Sequence, residues 1–192
     1  AAHCLYVDSR DRWAKPSEIN FLAGYDRGKY ASHLRAERVV RHDGVRPSRR
    51  LSLADAALDW AIIVTRNAAP AGISPLPVDT AALDEPLLVA GYVRGRAHAL
   101  SASDHCQILA AAEASRLIAH TCPLGSGASG GPLLARTTSG LRVVGVQTGQ
   151  SDGKGYAIPA RTFAPEVVSA LDLPGFAGDA TRTALRPVEA SR

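Results

Sequence analysis

The chain has 192 residues, 46% of them hydrophobic and 21% charged, with a formal net charge of +4. This supplies a normal core for one large domain or two small ones, and no apolar run approaches the roughly 18 residues needed to cross a bilayer. The positive charge is mild and comes mostly from Arg. Arg46, Arg49 and Arg50 flank Pro47 in a polar stretch, which reads as a solvated loop rather than a nucleic-acid or heparin site. Neither nucleic acid nor a membrane is expected as a partner.

Hydrophobic patterning predicts a mostly β chain. Residues 18–23, 29–41 and 58–65 are rich in alternating or β-branched apolar residues and read as strands. Residues 66–80 carry three prolines and one glycine and read as a linker. Short strands follow at 86–94, 98–103, 106–111, 116–120, 132–135, 141–148 and 156–158. Their close spacing predicts a barrel or sandwich. A short helix is expected over 165–173, ending before Pro174, and a loose tail over 175–192. There is no internal repeat or low-complexity tract.

Three cysteines are present, Cys4, Cys106 and Cys122. Cys106 and Cys122 lie 16 positions apart, each next to a strand-like run. A disulfide closing a loop of that size stabilises by about 3 kcal/mol in the chain-entropy picture and fits an exported protein. The alternative is a metal held by His105, Cys106, His120 and Cys122, although H-C and H-x-C are not the usual zinc spacings. Cys4 is then a free thiol, or its partner lies upstream of residue 1.

The chemistry concentrates in Gly127-Ala128-Ser129-Gly130-Gly131-Pro132. A serine hydroxyl attacks a carbonyl only when a base lies within hydrogen-bond reach and an acceptor orients that base. It also needs N–H donors aimed at the developing oxyanion. Glycine at 127 permits a backbone conformation that turns its N–H toward that of Ser129. Taken alone, the segment could be a plain Gly/Ser turn. Two other motifs change its weight, Ala1-Ala2-His3-Cys4 and Asp59-Trp60-Ala61-Ile62-Ile63. Asp55 competes with Asp59, but only Asp59 is followed by a buried-looking strand that would shield a carboxylate from water.

In the order His3, Asp59, Ser129, with Val144-Gly145-Val146-Gln147-Thr148-Gly149 beyond, these motifs resemble the trypsin-like (chymotrypsin-fold) serine endopeptidases. The spacings of 56 and 70 residues agree, and the resemblance extends over about residues 1–165. Within the family the chain is most similar to bacterial glutamyl-endopeptidase-like members, which also carry a cysteine seven positions before the nucleophile, here Cys122.

The resemblance implies an all-β fold of two packed antiparallel β-barrels, the first incomplete, with a short C-terminal helix. It implies a first-barrel remnant over 1–65, a linker over 66–80, a second barrel over 81–165, and a helix with a loose tail over 166–192. Ser129 would be the nucleophile, His3 the general base and then acid, and Asp59 the orienting carboxylate. The N–H groups of Gly127 and Ser129 would form the oxyanion hole. The backbone of Gln147, Thr148 and Gly149 would pair with a polypeptide substrate as an added strand. A monomer without cofactor or metal, secreted or periplasmic, is expected.

Two departures modify this reading. Ala128 stands where trypsin-like zymogens use an acid to pair with a newly cut N-terminus, so that activation switch is not expected. The His motif also opens the chain, whereas family members place two or more strands before it. The expectation is therefore a truncated chain with exposed first-barrel edges. No acid lies between Cys122 and Gly127, and Val146, Gln147 and Thr148 offer no cation, which favours a small or uncharged residue before the scissile bond. The competing readings are a non-catalytic relative that keeps the fold for binding, an inactive fragment of a protease, and an esterase on another fold. The esterase pattern Gly-x-Ser-x-Gly is present, but the run after Pro132 does not look helical.

Overall fold

The computed structural model describes residues 1–46, 52–112 and 116–171. Arg49, Arg50, the predicted tail and the last two positions of the predicted helix lie outside the described residues. The strands are β1 (Tyr6–Val7), β2 (Arg12–Trp13), β3 (Asn20–Ala23), β4 (Ser32–Arg41), β5 (Ala61–Thr65), β6 (Leu87–Gly91), β7 (Ser101–Cys106), β8 (Ile108–Ala112), β9 (Leu117–His120), β10 (Pro132–Thr137), β11 (Gly140–Ser151) and β12 (Lys154–Pro159). Two α-helices are described, α1 (Leu53–Ala56) and α2 (Ala160–Leu171). The fold is all-β, with antiparallel pairing throughout the sheets.

The largest sheet has the strand order β7-β6-β10-β11-β12-β9-β8. Its two edge strands, β7 and β8, are consecutive in the chain and separated only by Gln107. Strands so joined cannot stand at opposite ends of a flat sheet, so the sheet rolls until its edges approach. The Cys106–Cys122 disulfide, with Cα atoms 5.3 Å apart, ties the end of β7 to the turn after β9 across this seam. Leu87, Val89, Ile118, Leu133, Ala135, Val144 and Ala157 fill the interior of the roll together with both half-cystines. Each large aliphatic side chain buried there contributes about 1.5–3 kcal/mol of transfer free energy.

The second sheet is β3-β4-β5 and stays open. Between the two sheets lies another apolar cluster: Ala56 and Ala57 by α1, Trp60 before β5, Leu117 of β9, Ile158 of β12, and Ala160 and Phe163 of α2. Asp59, next to Trp60, is thereby carried into the junction. Arg38 of β4 adds a polar tie by donating from Nη2 to the Ala170 carbonyl at 3.3 Å.

The β1–β2 ribbon is absent from the sequence-based strands. Two-residue strands are too short to show alternation, and cross-strand aromatics supply the missing stability. Tyr6 and Trp13 pack edge to face at 5.3 Å, and the Arg41 guanidinium sits 4.4 Å over the Trp13 ring. α2 starts at Ala160, five residues before the predicted start, with Pro165 inside it. The sequence pattern placed Pro165 at the helix start, the usual position for proline. The apolar face of Ala160, Phe163 and Ala170 against the junction outweighs the one lost backbone hydrogen bond.

Candidate active site

The segment Ala2–Leu5 forms a single 3-10 turn held from two directions. Ala14 N–H donates to the Leu5 carbonyl at 2.7 Å, and Ala2 N–H donates to the Asp59 carbonyl at 3.0 Å. The second bond docks the turn directly on the residue before Trp60. His3 then meets Asp59 twice. Its backbone N–H donates to Asp59 Oδ1 at 2.7 Å, and its Nδ1 donates to Oδ2 at 2.5 Å. The Asp59 side chain has no solvent exposure, while that of His3 is 28% exposed. A third donor reaches the same carboxylate: Thr148 Oγ1–H, at 2.6 Å from Oδ2.

These contacts set the titration of the pair. Burial pushes the Asp59 carboxyl up, but the donors from His3 and Thr148 outweigh it and leave the group below its ordinary value. The hydrogen bond to Asp59 comes first in raising His3, from 6.5 to about 9, followed by one to the Cys4 thiol, against burial, which lowers it. Asp55, the rival carboxylate, faces Ser52, whose hydroxyl donates to Asp55 Oδ2 at 2.7 Å. The Asp55 N–H returns a bond to Ser52 Oγ at 3.1 Å. That exchange is an N-cap for α1.

Ser129 lies in the turn before β10. Gly127, two residues earlier, has φ of +98°, and a Cβ there would lie 3.0 Å from the Tyr92 carbonyl and from Arg94 N. The position accepts glycine and little else. Ala128 and Gly130 N–H donate to Gly125 and Gln147 carbonyls respectively. The N–H groups of Gly127 and Ser129 have no hydrogen-bond partner among the described residues.

β11 carries a bulge between Gln147 and Gly149. It takes Thr148 out of the ladder, as bulges beside sites re-aim a side chain. Thr148 thus sends its hydroxyl to Asp59 and offers its carbonyl to the Ser129 hydroxyl, which donates across 3.4 Å. No hydrogen bond joins Ser129 Oγ to the His3 ring among the described residues. Both residues line one cleft of about 860 Å³, together with Gly127, Gln147, Thr148 and Gly149. Cys4 Sγ sits 3.5 Å from the Ser129 carbonyl and is a free, exposed thiol.

The structure therefore brings His3, Asp59, Gly127, Ser129, Gln147, Thr148 and Gly149 to one place, while Cys106 and Cys122 brace the barrel seam. With both sulfurs in the disulfide, His120 turns to Gln147 instead, its Nε2 lying 3.1 Å from Gln147 Oε1. Sequence reasoning missed the Thr148 hydroxyl and the His120–Gln147 pair. Partners 89 and 27 positions apart leave no local pattern to read.

A family model described as the trypsin-like peptidase domain matches residues 1–146. Among solved structures, that of the Vibrio cholerae VesB protease is similar, with a TM-score of 0.65 and 18% identity. The match covers 90% of this chain and 55% of that one, so the chain spans little more than half of the protein it resembles. At that identity the likeness speaks for the chymotrypsin-like fold. No curated protein sequence matches the chain.

Proposed function

The chain belongs to the trypsin-like peptidase family, and on that premise we propose that it is a serine endopeptidase working through an acyl-enzyme. The observation that carries this reading is the His3–Asp59 pair: a wholly buried carboxylate, triply hydrogen-bonded, holds an imidazole that opens on the cleft of Ser129. In this reading Ser129 Oγ leaves the Thr148 carbonyl and turns to His3. It attacks the scissile carbonyl as His3 takes its proton, with Asp59 stabilising the imidazolium. The unpartnered N–H groups of Gly127 and Ser129 receive the oxyanion. Each such donor contributes about 3 kcal/mol to the transition state. His3 then returns the proton to the leaving amine, and water releases the acyl group by the same route. The vacated Thr148 carbonyl and the backbone of Gly149 pair with the substrate as an added strand, whereas the Gln147 N–H and carbonyl, expected to do the same, are already held by Gly131 and Gly130.

In this proposal residues 1–65 supply the base and its carboxylate, 66–80 connect, 81–165 supply the nucleophile, and 166–192 complete the chain. The Cys106–Cys122 disulfide suits an oxidising compartment, hence a secreted or periplasmic protein, and we take it to act as a monomer. The likeness to glutamyl-endopeptidase-like members rests on Cys122 standing seven positions before Ser129.

One observation favours a second reading, a protease-like binding module. The Ser129 hydroxyl is engaged with Thr148 rather than His3. Hydrolysis of fluorescent casein by the full-length protein separates the two readings. The proposal expects turnover that disappears in Ser129→Ala. Equal rates for the two proteins, or none from the parent, contradict it.

A further inference from the structure

Beyond the reacting groups, the cleft is lined by Gln147, Gln150, Ser126 and Tyr156, among others. Gln147 is only 3% exposed, and His120 behind it is not exposed at all. The ring of His120 occupies the space over Gly155, where any Cβ would overlap it. Its orientation follows from one fixed donor. The Cys122 backbone N–H, which can only donate, points at His120 Nδ1 from 3.3 Å. Nδ1 is therefore the acceptor, and the ring proton of the neutral imidazole sits on Nε2. Nε2–H in turn fixes Gln147 with Oε1 toward the ring at 3.1 Å.

Gln147 is left with its NH₂ group, which donates to no atom among the described residues. The same logic holds at Gln150, where the Gly125 N–H donates to Oε1 at 3.0 Å and the NH₂ group again has no acceptor. Both amide oxygens are consumed by the protein, and both amide nitrogens remain. Each glutamine thus offers the cleft a donor and no acceptor, beside the Ser126 and Tyr156 hydroxyls, which can do either.

We propose that Gln147, locked by His120, makes this subsite select a side-chain carbonyl oxygen, and that glutamine is the preferred residue before the scissile bond. The proposal rests on the endopeptidase reading above. A nearly buried NH₂ group gains a partner only from an incoming oxygen and stays unsatisfied against an apolar side chain. A carboxylate would also accept from it. However, the neutral imidazole behind Gln147 offers no compensating charge, and stripping water from an ion without one is costly. Arg94 also lines the cleft, but as an exposed residue whose charge water and salt screen.

Four fluorogenic peptides test this, identical except for Gln, Glu, Met or Lys before the scissile bond. In parallel, reaction with diisopropyl fluorophosphate reads Ser129 independently of any side-chain preference. The full-length protein should cleave the Gln peptide with kcat/KM about tenfold or more above Met, its near-isostere without the carbonyl, and above Glu and Lys. Gln147→Leu should collapse the Gln-to-Met ratio toward one. The exposed Gln150→Leu, which carries no folding risk from a buried site, should lower the ratio in part. Met equal to Gln, Glu above Gln, or a ratio untouched by either variant overturns the proposal while Ser129 still reacts. A protein that neither reacts nor cleaves any of the four overturns the endopeptidase reading with it.

Discussion

His3 and Asp59 show how burial and hydrogen bonding compete at one carboxylate. Asp59 has lost all contact with water, which alone would favour its neutral form. Three donors keep it ionised, and its charge in turn holds His3 up to about 9. A general base must be neutral, so the acid limb of kcat/KM should lie above the ordinary histidine value, between pH 6.5 and about 9. Asp59→Asn removes the charge. The limb should then move down toward 6.5 while kcat falls about 10⁴-fold. A pH–rate profile of parent and variant checks both shifts.

Thr148 belongs to the same balance. Thr148→Val leaves Asp59 one donor short and should cost about 1–3 kcal/mol in urea unfolding. Gly155 is the corresponding test behind the cleft. Gly155→Ala pushes a methyl into the His120 ring, and overpacking of this kind costs about 1–3 kcal/mol. A Gly155→Ala protein as stable as its parent would contradict the packing described.

At the level of elements, the rolled sheet depends on its seam. Opening the Cys106–Cys122 bridge by Cys106→Ala/Cys122→Ala frees a loop of 16 positions and should cost about 3 kcal/mol, read from denaturation midpoints. The strands of that sheet were legible because alternation and β-branching persist over four residues or more. Their ends moved by two or three positions where glycine or proline did not mark them. The β1–β2 ribbon and α1 were not legible. Two and four residues carry no periodicity, and both elements exist through contacts such as Trp13 with Arg41 and Ser52 with Asp55. Of the residues gathered at the candidate site, His3, Asp59 and Ser129 stand out in the sequence through the order and spacing of their three motifs rather than through any one of them. The Thr148 hydroxyl does not, since a bulge rather than a motif aims it.

Over the whole molecule, the pair links stability to pH. His3 is raised from 6.5 to about 9, so its contribution to stability is fully present below pH 6.5 and is lost as the pH climbs toward 9. Asp59 is lowered from 3.8, so its contribution is present above that value and is lost as the pH falls below it. Urea midpoints should therefore decline from pH 6 to pH 9.5, and His3→Ala should flatten that part of the curve. The same pair fastens the opening turn of the chain to the residue before β5, while Thr148 fastens that residue to β11. The two sheets are thus joined through one carboxylate.

The most direct measurement is the site of covalent capture. The full-length protein is treated with diisopropyl fluorophosphate near pH 8, digested, and mapped by mass spectrometry. A nucleophile activated by His3 and Asp59 predicts a single adduct on Ser129, formed fast in the parent, slowly in Asp59→Asn, and absent in Ser129→Ala. An unmodified Ser129 in the parent, or a rate indifferent to Asp59, contradicts the assignment.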